Sequence, residues 1–123
     1  TSWVTGCSML LNLQNFDPCP QFDPAYFLYY EDFDFCRRYA QQGHSVVITP
    51  IQVIHQPSSI TSRNPSLTLQ HSTFSYLLAL KRHTSQPVFL YRLSRIIFHA
   101  VRVGVVQPRR AIAILQGVLR HKP

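Results

Sequence analysis

The spacing of apolar positions divides the chain into a front part of short extended runs and a back part with helical periods. Trp3 to Leu13 is an apolar run with small residues at Thr5, Gly6, Cys7 and Ser8, and it reads as a strand. Gly6 within it allows either close approach of the backbone to another group or a bulge. Asn15 to Pro24 holds three prolines and two Asp-Pro steps, which marks a loop. Tyr26 to Tyr30 is a dense aromatic patch, too short to show a period. A helix is predicted from Glu31 to Gln42, with Gly43 as its stop. Asp32, Phe35, Cys36 and Tyr39 share one face of it, which turns Asp32 towards the apolar side. Asp34 can pair with Arg37 or Arg38 on the other.

Ser45 to Thr49 is β-branched and apolar, the pattern of a buried strand, and Gln52 to His55 is a second extended piece. Ser58 to Ser66 is a polar loop containing Arg63. Three helical periods follow, over Leu67–His83, Val88–Val106 and Arg109–His121, separated by Ser85–Pro87 and Gln107–Pro108. In the middle one, Arg92, Arg95, His99 and Arg102 recur every three or four residues and share a face. In the last, Ile112, Leu115, Val118 and Leu119 form the expected apolar side. The predicted fold is therefore α/β, with a few strands, a central helix and a helical C-terminal tail. It divides into a mixed region 1–66 and a helical, basic, amphipathic region 67–123.

Charge sharpens this division. All five acidic residues lie within the first 34 positions, and all twelve Lys and Arg come later, from Arg37 to Lys122. Such a split points to an anionic partner for the back of the chain, either a membrane surface or nucleic acid. No apolar run reaches the roughly 18 residues of a spanning helix. The stretch 88–121 suits peripheral contact with anionic lipid, or packing against another domain or a second copy in a homo-oligomer. Nucleic acid is disfavoured, because the aromatics sit among the acids and not among the arginines. Cys7, Cys19 and Cys36 are odd in number and contain no C-x-x-C pair, which argues against a zinc site and for reduced thiols in a cytoplasmic protein.

The segment Phe27 to Arg38, FLYYEDFDFCRR, resembles a signature of family 2 glycosyltransferases, especially the rhamnosyltransferase-like branch. Trp3–Leu10 resembles the small-residue strand that precedes this block, and Phe22-Asp23 its Gly-Phe-Asp turn. Gln42 to Pro50 resembles the segment that follows it, and His55 before Ser58-Ser59 a histidine ahead of a serine loop. The prolines of Asp17 to Gln21 depart from the short helix usual there, and the family's nucleotide-binding half with its Asp-x-Asp motif has no counterpart.

The resemblance implies the acceptor-side, C-terminal part of a GT-A glycosyltransferase, a fragment inactive by itself. The whole enzyme would move a sugar from a nucleotide-sugar donor to a lipid-linked or polysaccharide acceptor, with inversion. It assigns Asp32 as the base and Glu31 as its neighbour at the acceptor. It also assigns His55 as a ligand to a divalent metal, Mn2+ or Mg2+, completed by the Asp-x-Asp carboxylates. Burial would raise the pKa of a carboxylate at Asp32 while the helix dipole would lower it. Arg63 is either a diphosphate contact or a solvated loop charge. Trp3, Gly6 and Tyr30 are candidates for lining the substrate site, with core packing as the alternative for the rings. The rival class is a non-enzymatic basic module that binds nucleic acid or a membrane surface.

Overall fold

The computed structural model of the protein describes residues 3–55 and 63–120. Its regular structure is helical: α1 is Glu31–Gln41, α2 Pro65–His83, α3 Gln86–Val106 and α4 Pro108–Arg120, with a single 3-10 turn at Leu13–Asn15.

Local chemistry accounts for these boundaries. Asn64 caps α2 by accepting from Leu67 N–H at 3.3 Å, and Pro65 supplies a first-turn residue that needs no hydrogen bond. This cap starts the helix two residues ahead of the expected Leu67. Lys81, Arg82 and His83 fill its last turn, where the helix dipole favours positive charge. Pro87 and Pro108 sit at the starts of α3 and α4, so the breaks in the sequence pattern are also helix starts. Gly43, at φ 94°, ends α1, and the next residue's N–H returns to Tyr39 O at 3.0 Å. The entry to α1 is less ordinary. Tyr29 and Tyr30 both adopt the left-handed region, with φ of 64° and 66°.

The helices pack around α2, which touches α1, α3 and α4. The core is built from small groups. Ala79, Ala100, Ala111 and Ala113 are buried beside Leu77 and Ile114. Gly117 brings α4 against α2 so closely that a Cβ there would lie 2.6 Å from Gln70 O and 2.8 Å from Thr73 Cβ. The expected apolar side of α4 is therefore corrected. Ile112, Leu115 and Leu119 point outward, while Ala111, Ala113, Ile114 and Gly117 are buried. Tight backbone approach decides this face, not hydrophobic bulk.

The predicted α/β fold, the C-terminal part of a GT-A arrangement, is overturned: there is no strand among the described residues. The runs 3–11 and 44–55 carry no regular secondary structure. A strand needs a neighbour to take up its N–H and C=O groups. These runs have none among the described residues, and Val47, Ile48, Ile51 and Ile54 remain exposed. No helix of the described residues is long and apolar enough to cross a membrane.

Candidate functional site

Three stretches converge at the start of α1. Gly6 N–H donates to Asp32 Oδ2 at 2.8 Å, and Phe33 N–H donates to Asp32 Oδ1 at 2.7 Å. Each carboxylate oxygen thus holds one backbone donor and keeps a second lone pair for another. A Cβ at Gly6 would meet Asp32 Cβ at 3.6 Å, an ordinary contact. The position matters for the direction of its N–H and not for lack of a side chain. Trp3 lies edge-on to Phe33 with ring centroids 5.9 Å apart. Tyr30 meets Phe33 at 6.4 Å and Tyr76 of α2 at 5.4 Å. Burial pushes the Tyr30 hydroxyl above its ordinary pKa, helped by Tyr76 and the Asp32 carboxylate. Glu31 is half-buried, and its Oε2 is buried without a hydrogen-bond partner.

Five of the seven candidates, Trp3, Gly6, Tyr30, Glu31 and Asp32, therefore lie on the two segments that meet here. The other two do not join them. His55 is exposed, as is Arg63, and Ser58-Ser59 lie outside the described residues. Among the described residues no group of three or more His, Cys, Asp or Glu is gathered for a metal ion.

The buried carboxylate of α1 is Asp34, not Asp32. The sequence places Asp32 inward; in the structure Asp32 is half-buried and Asp34 is fully enclosed. Asp34 Oδ1 accepts from the Tyr26 hydroxyl at 3.1 Å and lies 2.8 Å from His83 Nε2. Its Oδ2 accepts from Arg38 Nε at 2.6 Å, the i,i+4 pairing that the sequence offered as one of two. Arg82 stands 3.6 Å away and pairs more closely with Asp23, at 2.6 Å. Burial pushes the Asp34 carboxyl up, but hydrogen bonds from Arg38 and His83 and the Arg38 charge outweigh it and hold the pKa below its ordinary value. Asp34 also lifts the Tyr26 hydroxyl, after burial the next cause of its raised pKa. With both oxygens hydrogen-bonded and no exposure, Asp34 joins α1 to the end of α2 and is a structural group. His83, 49 positions away, gave no local signal for this role; only the fold reveals it.

A gap of about 1040 Å³ lies on the other flank of α1 between Phe35, Tyr39, Val46 and Ile51. No carboxylate lines it. It is the space left where the 44–55 run crosses α1 without a sheet to close it.

A second polar region lies along α3. Its outward face is apolar, with Leu90, Phe98, Val101 and Val105 exposed. Arg92, Arg95, His99 and Arg102, also exposed, line the rims of grooves shared with α2 and α4. The sequence gave these four a common face but not its direction. No protein-family model, no curated protein and no solved structure matches the chain.

Proposed function

We propose that the chain supplies the acceptor side of an inverting, nucleotide-sugar-dependent glycosyltransferase, with Asp32 as the base. The observation that carries this reading is the junction of Gly6 and Asp32 at 2.8 Å, with Trp3 seated on Phe33 beside it. The two stretches brought together are the ones whose sequences resemble family 2 glycosyltransferases. The reading rests on this site and not on any sheet topology.

The chemistry asks little of the carboxylate beyond position. As the acceptor oxygen attacks the anomeric carbon, its proton passes to a free lone pair of Asp32. The bond from the anomeric carbon to the donor diphosphate breaks, and its electron pair leaves on the phosphate oxygen. The backbone donors on Asp32 fix the direction of its remaining lone pairs. Trp3, 41% exposed, and Tyr30 offer ring faces for a sugar to pack on. Glu31, half-buried next to Asp32, is the neighbouring carboxylate for an acceptor hydroxyl.

The test is sugar transfer by a polypeptide carrying these residues together with a donor-binding half. Asp32→Asn is expected to lower turnover by about 100-fold or more, the usual contribution of general-base catalysis. Helix content by circular dichroism should stay unchanged, because the amide oxygen still accepts one of the two backbone bonds. Transfer by Asp32→Asn at the wild-type rate would end the assignment. Glu31→Gln is expected to raise KM more than it lowers kcat.

A further inference from the structure

We infer that the groove between α2 and α3, closed at one end by α4, is a binding site for a ligand bearing a diphosphate or a similar run of phosphate charge. This stands on the groove alone and does not require sugar transfer.

Two cavities run along this groove, of about 430 and 980 Å³. Leu69, Ser72, His99 and Ile114 line both, so the space is continuous. Each cavity falls within or close to the size range of small-molecule sites. Arg92 and Arg95 line the smaller one beside the Tyr30 and Tyr76 rings. Arg102 and Arg110 line the larger.

The cations in the groove lack counter-charges. All five acids of the chain lie within its first 34 residues. Among the described residues the ion pairs involve only Arg38, Arg82 and His83. Arg95 and Arg102 rest instead near Tyr91 and Phe98 of their own helix, at 5.8 and 5.9 Å from the ring centres. Four like charges along one groove repel one another and raise the local potential for an anion. The arginines stand at the solvent-exposed rim of the groove, where a ligand from solution can reach them.

Guanidinium chemistry and spacing select the ligand. The planar fork of arginine matches two phosphate oxygens at once. Arg92 to Arg102 spans about 15 Å at the helical rise, too long for one phosphate and suited to an extended anion. Ser72 and Thr73 line the wall, their hydroxyls donating to Leu69 O at 3.1 and 2.8 Å. Their lone pairs are then left for a donor on the ligand, such as a sugar or glycerol hydroxyl.

The 123-residue chain can be titrated calorimetrically with inorganic pyrophosphate near physiological salt. Saturable one-site binding is expected. Arg92→Gln with Arg95→Gln should weaken it about tenfold or more, since charge-assisted bonds to phosphate are lost. Arg109→Gln should leave it within about twofold, because Arg109 lines neither cavity. Should the double variant lose helix content, Arg110→Gln against Arg109→Gln makes the same comparison between neighbours. Phosphatidylcholine vesicles with and without phosphatidic acid separate the two sources of phosphate. Pyrophosphate binding assigns a free ligand. Capture by phosphatidic acid alone, with the same dependence on variants, assigns a lipid headgroup. Equal losses for Arg109→Gln and the groove variants, or no binding in either arm, overturn the proposal.

Discussion

The two halves of the molecule enclose opposite kinds of groups. Residues 3–55 close around one ionised side chain, Asp34, which gathers Tyr26, Arg38 and His83. Residues 63–120 close around a scarcity of side chain, with Gly117 and the alanines letting helices touch. The first half has one helix and takes its shape from hydrogen bonds and ring contacts. Phe16 stacks on His44 at 4.3 Å, Phe22 meets Phe35 at a tilt with centroids 4.8 Å apart, and Tyr39 OH accepts from Gln21 N–H at 3.0 Å. The second half needs no such ties, because its helices already satisfy their own backbones. The lesson is that loops require directional partners, whereas helices require only a close surface.

Asp34→Ala tests that contrast most severely. It leaves His83 and the Tyr26 hydroxyl facing an empty site and removes a partner from Arg38. Breaking a buried pair on one side costs about 4 kcal/mol, and both halves should loosen together in chemical denaturation. Loosening of α1 alone would show that Asp34 does not join them. The same carboxylate sets a pH dependence. Its native pKa is held below the ordinary value, so the unfolded chain binds the proton more readily. The stabilisation is complete above about pH 4 and is lost as pH falls further through the native pKa. An acid titration of Asp34→Asn should lack that component.

Gly117→Ala tests the helical half. Its Cβ would overlap Gln70 O, a backbone atom that cannot swing aside. Overpacking of this kind costs about 2 kcal/mol, partly offset by about 1 kcal/mol of better helix propensity. A lowered melting temperature is expected with α1 contacts preserved, which hydrogen exchange by segment would show. A stabilised variant would mean that α4 can move away freely. Smallest of all is Arg82→Ala. Its bond to Asp23 at 2.6 Å crosses between the halves but is solvent-exposed, and about 0.5 kcal/mol is expected from its loss in urea melts.

Helix positions were legible in the sequence because their signals are local. Gly43, Pro87 and Pro108 mark ends and starts that need no tertiary knowledge. Strands were not, because a strand exists only with its partner. The run Ser45–Thr49 has the right residues and no neighbour among those described. Helix faces were legible only in part. The counting that grouped Arg92, Arg95, His99 and Arg102 was sound, yet a period cannot say which side meets the protein. The same counting placed Asp32 inward, and Asp34 took that place because Tyr26 and His83 await it from distant parts of the chain. Of the candidate site, resemblance grouped Trp3 and Gly6 with Glu31 and Asp32 as candidates but gave no contact between them. Nothing in spacing or charge brings residue 6 to residue 32.

The paired left-handed tyrosines before α1 have a consequence for any ligand that meets the carboxylates. Glycine would adopt those angles more easily, but it would also leave them as easily, into the mirror-image regions closed to a residue with a Cβ. Tyr29 and Tyr30, at φ of 64° and 66°, carry a modest strain and in return have few places to go. The crank they form fixes the heading of Glu31 and Asp32 before anything arrives. The disorder lost in aiming those carboxylates is lost during folding, and binding is spared it.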